Sequence, residues 1–211
     1  MDRNKLKLSL MLLLVTVPIG LSTLVYHFYA GNSGFGTTSK GTLVQPVIDI
    51  TELKLLDIED KPAYLGFEEL TAGVSPDKYK PRPWQLLYFG SESCDAECQQ
   101  RLYFLRQLHV RLGSDAKRVQ RAYIVTSAGS GVDAATSAWL TEQQADMRVL
   151  HGEAVIVAKV LQRTSAADPL AAHYIYLMDP VGNIMLYFSP DNDAEAILKD
   201  LKKLLDSSSI G

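Results

Sequence analysis

The chain has 211 residues, a net charge of −3 and a hydrophobic content of 47%. This length suits one domain of medium size with a short appendage, and the apolar fraction is high enough for a buried core. A near-neutral charge without a basic stripe argues against nucleic acid as a partner. The sequence also has no phosphate-binding loop, no HExxH motif and no Ser-His-Asp arrangement, so nothing in it supports a nucleotide-binding protein or a hydrolase.

The first 30 residues differ in composition from the remainder. Three basic residues, Arg3, Lys5 and Lys7, precede a run from Leu8 to Ala30 that contains no Asp, Glu, Lys or Arg. A helix of about 20 apolar residues crosses a bilayer, so residues 8–30 are predicted to form a single transmembrane anchor. Because basic residues favour the cytoplasmic side, residues 1–7 are predicted to be a cytoplasmic N-terminus, with the rest of the chain outside the membrane.

A cleaved signal peptide is the alternative interpretation of this segment. Its apolar region has about 7–15 residues and ends at a cleavage site with small residues. The run here is longer, and Phe28 and Tyr29 stand where small residues would be expected, which favours an uncleaved anchor. Either interpretation exports the chain. In a bacterium, the domain would lie at the inner membrane in the periplasm, where disulfides can form.

Next in the chain come a tether and an irregular region. Residues 31–41 are rich in Gly, Ser and Thr and are predicted to be flexible, which leaves residues 42–211 as the exported domain. Residues 42–60 contain β-branched side chains and predict one or two short strands at an edge. Three prolines in the stretch TAGVSPDKYKPRPW, residues 71–84, predict a loop.

Strands and helices alternate through the rest of the chain. The apolar patterns predict strands at residues 84–90 and 118–128, a short strand or turn at 147–152, and helices at 95–112, 133–145 and 153–164. A β-hairpin is predicted at residues 171–190 and an amphipathic helix at 191–208. Alternating strands and helices predict an α/β domain with a parallel sheet, and the terminal hairpin and helix are typical of the three-layer thioredoxin-like fold.

Both cysteines of the chain, Cys94 and Cys98, lie between a predicted strand and a predicted helix. Their spacing places both sulfurs on one side of a helical turn, and a helix N-terminus favours the thiolate. Asp95 and Glu97 lie between the two cysteines. Their negative charges oppose the formation of a thiolate and favour the binding of a cation. Such a pair can form a disulfide, exchange thiols or, with an imidazole, hold a soft ion such as copper. An inert structural disulfide is the alternative.

Two segments resemble the Sco family, the membrane-anchored copper proteins of cytochrome c oxidase assembly. LLYFGSESCDAEC is similar to the apolar strand, glycine and CxxxC motif of that family. HYIYLMDPVGNIMLYFSPD is similar to its late hairpin, where a metal-binding histidine precedes a strand and a turn. The resemblance covers residues 84–205 with the anchor and the tether. It implies that Cys94, Cys98 and His173 bind copper and that Cys94 and Cys98 are also a redox pair.

The sequence departs from the family pattern at three places. Asp95 and Gln99 stand where the family has prolines, and TSAGSGVDAATSAW replaces an acidic segment that contains proline. His173, at the predicted start of a strand, lies two residues closer to the Asp-Pro turn than the histidine of the family does. A shift of two residues along a strand preserves the face and moves a side chain by about 6.5 Å, so the sequence permits His173 to face the cysteines. The chain is interpreted as a divergent relative.

Three functions are compatible with these residues. The preferred hypothesis is a copper-handling assembly factor, whose partner is a copper-binding subunit of a cytochrome c oxidase or another assembly factor. The second is a metal-free thiol–disulfide oxidoreductase acting on a copper-site protein, which requires Cys94 and Cys98 but not His173. The third is a thioredoxin-like binding scaffold in which the cysteines form an inert disulfide. A copper chaperone is thus favoured over an enzyme.

Overall fold

The computed structural model describes residues 3–31, 39–75, 78, 80–127 and 131–208. The chain divides into two compact units, with the boundary after Thr38.

The first unit contains one long helix, α1 (Arg3–Gly31), which includes Pro18. The side chains from Ser9 to Val25 are exposed. Among the described residues, no helix is both long enough and apolar enough to cross a membrane. The anchor at residues 8–30 therefore stays a prediction.

The second unit is an α/β domain with a six-stranded sheet. Its strands are β1 (Thr42–Asp49), β2 (Trp84–Gly90), β3 (Val119–Thr126), β4 (Arg148–Gly152), β5 (Ile175–Met178) and β6 (Asn183–Phe188). Its α-helices are α2 (Phe67–Thr71), α3 (Ala96–Arg111), α4 (Ala134–Gln143), α5 (Ala154–Leu161) and α6 (Ala194–Ser207), and short 3-10 helices cover Ile50–Leu53 and Gly113–Arg118. The strand order is β1-β6-β5-β2-β3-β4.

The predicted strands, helices and hairpin after residue 84 are confirmed to within a few residues, and residues 147–152 form a strand rather than a turn. The parallel-sheet prediction is correct for β2, β3 and β4, and β5 and β6 form the predicted antiparallel hairpin. The sequence did not predict the antiparallel pairings of β5 with β2 and of β1 with β6. Residues 42–60 contribute one edge strand and a 3-10 helix. The sequence did not predict the short helix α2, and residues 76, 77 and 79 of the predicted loop lie outside the described residues.

Alternate side chains of β2 face opposite sides of the sheet. Leu86 and Tyr88 belong to the core shared with α3 and α6, whereas Leu87 and Phe89 belong to the core shared with α5. Because helices cover both faces, β2 has no solvated side, which explains its nearly continuous apolar sequence, interrupted by Gln85. The two cores confirm the three-layer arrangement.

The buried carboxylate of Asp200, on α6, holds the start of the domain. Its Oδ2 accepts hydrogen bonds from Ser39 Oγ at 3.0 Å, from Lys40 N at 2.6 Å and from Gly41 N at 2.9 Å. The last three residues of the predicted tether therefore belong to the domain, and residues 32–38 lie outside the described residues. A buried carboxylate is costly without such donors, so this contact stabilises the fold.

We expect Asp200→Ala to lower the free energy of unfolding by about 1–3 kcal/mol, because three donors at the domain start lose their acceptor. A urea titration of the full chain measures this change. Asp206→Ala is the matched control, since Asp206 lies on the same helix and is exposed; it should change stability by less than about 0.5 kcal/mol. Equal stability of the two variants would contradict the assigned role.

Candidate functional site

Cys94 and Cys98 form a disulfide at the N-terminus of α3, with their Cα atoms 5.2 Å apart. Asp95 is the N-cap of the helix, and its Oδ1 accepts a hydrogen bond from Cys98 N at 2.9 Å. This cap turns the chain from the loop into the first helical turn and so brings the two sulfurs together. Both cysteines are buried, with exposed fractions of 4% and 5%. A reactant can therefore reach the sulfurs only if it binds closely at this end of the sheet.

Hydrogen bonds to α3 and α4 hold the backbone of Cys94. Its amide donates to Thr136 Oγ1 at 3.0 Å, and its carbonyl accepts from Gln99 Nε2 at 3.1 Å. Asp133 caps α4, with Oδ1 2.6 Å from Thr136 N. The hydrogen bonds from the amide and hydroxyl of Thr136 lower the pKa of Asp133. The CxxxC segment is thus fixed to the start of α4, which lies within the sequence that departs from the Sco pattern.

Two stacked tyrosines lie beside the disulfide. Tyr88 of β2 and Tyr123 of β3 are register partners, and their ring centroids are 5.9 Å apart. Tyr123 Oη lies 3.8 Å from Cys98 Sγ and donates to Ser91 O at 2.6 Å. Gly90 provides the space for this ring, because a Cβ at that position would lie 2.7 Å from Tyr123 Cε2.

Burial raises the pKa of both tyrosine hydroxyls. For Tyr88 the next cause is the neighbouring Tyr123, and for Tyr123 it is the negative charge of Asp95. Both hydroxyls therefore remain protonated at physiological pH. They act as neutral hydrogen-bonding groups in the core.

The structure brings the imidazole of His173 to Tyr88 and Glu97. The ring stacks on Tyr88, with centroids 6.1 Å apart and planes at 11°. Nδ1 is 2.6 Å from Tyr88 Oη, and Nε2 is 3.2 Å from Glu97 Oε2. Both ring nitrogens are therefore engaged, and the contacts Cys98–Tyr123–Tyr88–His173 connect the predicted ligands through two aromatic rings.

The backbone at His173 is left-handed, with φ of 52°, a conformation that few residues other than glycine adopt. The residue precedes β5, which begins at Ile175, so its predicted place at the start of a strand is wrong. The argument from strand faces therefore does not apply to it. Arg101 Nε donates to His173 O at 3.0 Å, and its Nη2 donates to Ser189 O at 3.2 Å. One guanidinium thus holds both ends of the hairpin, and burial lowers its pKa.

The oxidised arrangement does not fit a copper ion. The two sulfurs are bonded to each other, and both imidazole nitrogens have other partners. Within the part of the chain that the structure describes, no group of three or more His, Cys, Asp or Glu side chains lies close enough together to hold a metal ion. Reduction would supply two thiols, and release of Glu97 would free Nε2 of His173. Thiolate and imidazole are ligands suited to Cu(I), so the donor set can fit copper only in the reduced state.

The sequence singled out Cys94, Cys98 and His173 but missed the two tyrosines that connect Cys98 to His173 and the arginine that holds the His173 carbonyl. Tyr88 and Tyr123 did carry a weak signal, since each places a hydroxyl between two apolar residues of a predicted strand. A buried tyrosine hydroxyl needs a hydrogen-bond partner, and this need can point to a site. Arg101 carried no such signal, because its partners are backbone carbonyls.

A family model described as transmembrane-like, thioredoxin-like, C-terminal domain matches residues 84–208. No curated protein matches the chain in sequence. Similar solved structures include yeast Sco1 with copper bound, at 17% identity and a TM-score of 0.54, covering 82% of this chain and 96% of that one. Arabidopsis thaliana ScoI with copper bound has 16% identity and a TM-score of 0.52, and the match covers 78% of this chain and 99% of that one.

A further similar structure is that of BsSco, a member of the Sco family of cytochrome c oxidase assembly proteins, in which a disulfide switch was identified. It has 12% identity and a TM-score of 0.52, and the match covers 77% of this chain and 96% of that one. At identities this low, the structural similarity shows a common fold alone, so the predicted thioredoxin-like domain and its likeness to Sco proteins are confirmed at the level of the fold. Because the matching family model covers more than half of the sequence, the chain belongs to the family of transmembrane-like, thioredoxin-like C-terminal domains.

Proposed function

We propose that this chain is a Sco-like thiol protein that handles copper for the assembly of a cytochrome c oxidase. Copper is the cargo, held in the reduced state by Cys94, Cys98 and His173. The observation that carries the proposal is the CxxxC pair at the start of α3, connected to a histidine through two stacked tyrosines. The partner is a copper-binding subunit of the oxidase or another assembly factor.

The chemistry of the residues supports this proposal. Two thiolates are soft donors suited to Cu(I), and an imidazole completes the set. Tyr88 lies at Nδ1 of His173, so a ring tautomer that donates Nδ1–H to Tyr88 Oη would leave the Nε2 lone pair for a metal. Solved structures of the same fold with copper bound, from yeast and Arabidopsis thaliana, add to this support.

A metal-free thiol–disulfide oxidoreductase is the second candidate, favoured by the closed disulfide and by the occupied nitrogens of His173. In this function, a thiolate of the reduced pair attacks a disulfide of the partner and forms a mixed disulfide. The second thiolate then attacks that bond, which closes Cys94–Cys98 and leaves the partner with two thiols. The partner is reduced by two electrons, and the cysteine pair is oxidised by two.

The proposed location is the bacterial inner membrane, with residues 1–7 inside and the domain in the periplasm. The uncharged composition of residues 8–30 and the three basic residues before them support this topology. The oxidised cysteine pair is compatible with an exported domain.

For the copper hypothesis, we expect the reduced, anaerobic chain to bind about one Cu(I) per molecule. Competition with a chromophoric Cu(I) chelator measures the affinity. Cys94→Ser/Cys98→Ser should abolish binding, and His173→Ala should weaken it by about tenfold or more. His109→Asn is the control, because His109 Nε2 contacts the carbonyls of Ala116 and Val119 instead.

The outcomes separate the three functions. Copper binding that survives both the cysteine and the histidine variants would contradict the assigned ligands. A chain without copper binding that exchanges disulfides with glutathione would be the metal-free oxidoreductase. A chain with neither property would be a scaffold with an inert disulfide.

For the redox pair, we expect Asp95→Asn to raise the reduction potential by about 10–30 mV, where 30 mV corresponds to about 1.4 kcal/mol. Asparagine preserves the helix cap but removes a negative charge that opposes the thiolate form. Equilibration with glutathione measures the potential. Asp193→Asn is the matched control, since Asp193 caps α6 in the same way. A potential that is unchanged or lower in Asp95→Asn would refute this electrostatic role.

For the anchor, we expect alkaline carbonate to leave the full chain in the membrane pellet, because an apolar segment of about 20 residues resists extraction. Replacement of Leu12, Leu13 and Leu14 by arginine should release the chain, since a charge at the centre of a span is costly. Release of the unaltered chain would overturn the proposed anchor.

A further inference from the structure

An open groove of about 730 Å³ lies along α3, next to the disulfide. One wall is a stripe of α3 side chains at spacings of three and four residues, which includes Glu97, Phe104 and Gln107. The other wall is the connection between β6 and α6, residues 190–193, with Ala194 at the start of α6, and His173 also lines the groove. Three parts of the domain thus form the groove: α3, the residues between β6 and α6, and His173 before the hairpin.

The groove is continuous with the candidate site. Glu97 and His173 both line it and contact each other, and Glu97 immediately precedes Cys98. From Glu97 to Gln107 the helix rises by about 15 Å, the length of four or five residues of extended chain. Because the disulfide is buried, a partner must bind beside it before a thiol can reach it. A peptide segment in this groove would satisfy that requirement.

Carboxylates determine the charge of the groove. The side chain of Glu97 is 78% exposed, and Asp191 and Asp193 are also exposed. Arg101 lines the groove as well, but its guanidinium donates to two backbone carbonyls and lies over the ring of Phe104, with Cζ 5.0 Å from the ring centroid. The positive charge of Arg101 is therefore already engaged by groups of the protein itself. The potential that a ligand meets is negative, and this favours basic residues.

Aromatic side chains provide the apolar part of the surface. Tyr103 is 57% exposed, and Phe104 is half-buried. Exposed aromatic rings can pack against the stem of a lysine or arginine and attract its charge. Acidic and aromatic groups together select a ligand that is both basic and apolar.

We propose that this groove is the docking surface for an extended segment of the partner protein, with basic and apolar residues flanking the cysteine that reacts. The inference rests on the proposed function, since it assumes that a partner exchanges thiols or copper with Cys94 and Cys98. It adds the chemistry of that partner and the place where it binds.

Fluorescence anisotropy tests this proposal with the oxidised full chain in a neutral detergent. The probe is a labelled peptide of sequence KWSKF with blocked termini, in which serine replaces the reactive cysteine so that binding requires no exchange. The comparison peptide EWSEF has glutamates in place of the lysines. We expect the basic peptide to bind about tenfold more tightly, with a preference that decreases as salt is added.

Two groove variants lie outside the predicted ligand set. Asp191→Asn and Tyr103→Ser should each weaken binding of the basic peptide by about two- to fivefold, because each removes one exposed contact. Asp206→Asn and Val110→Ser are their matched controls. Asp206 is exposed on α6 and Val110 is 63% exposed on α3, and neither residue lines the groove.

Equal binding of the two peptides, or equal effects of the groove and control variants, would overturn the docking surface. That result would leave the proposed function standing, since copper binding and disulfide exchange are measured on Cys94 and Cys98 without this peptide. Conversely, a chain without copper binding or exchange that still prefers the basic peptide would keep the groove as a binding surface and reject the thiol function.

Discussion

The register of β2 with its two neighbours is the constraint on which the site depends. Tyr88 pairs with Tyr123 in the parallel strand β3 and with Ile175 in the antiparallel strand β5. The first pairing stacks the two tyrosine rings beside Cys98. The second brings the residues before β5, including His173, to the same end of the sheet as the CxxxC segment. A slip of one residue would turn Tyr88 to the opposite face and disconnect the histidine from the disulfide.

His173 adopts its unusual backbone because three neighbours act on it together. Tyr88 and Glu97 engage the two ring nitrogens, and Arg101 holds the carbonyl. A left-handed conformation at a residue other than glycine costs about 1–3 kcal/mol and persists where the surroundings enforce it. The contact with Glu97 is the weakest of the three, since the side chain of Glu97 is 78% exposed and water competes with the imidazole for its oxygens. Nε2 is therefore the nitrogen that is released most easily.

The same carboxylate connects the site to the groove. Glu97 contacts His173 at one end and contributes to the negative charge of the groove beside it. A basic residue of a partner that pairs with Glu97 would compete with the imidazole for the same oxygens. Docking as proposed would thus favour release of Nε2 through one side chain, because a carboxylate paired with a lysine or arginine has less attraction for the imidazole.

The local sequence of this protein was enough to predict most of its strands and helices after residue 84 and the place of the cysteine pair at a helix N-terminus, whereas the three proposed ligands were predicted as a set from the resemblance to the Sco family. Apolar periodicity, helix caps and turn residues act over a few positions, so they can be recognised without the fold. Tertiary structure alone decided that β5 pairs antiparallel with β2 and β1 with β6, that Asp200 holds the last residues of the predicted tether, and that two tyrosines separate His173 from Cys98. These features depend on contacts between residues far apart in the chain, which local patterns do not encode. The predicted place of His173 failed for this reason, since Arg101 and Tyr88 hold that residue outside the strand to which its local sequence assigned it.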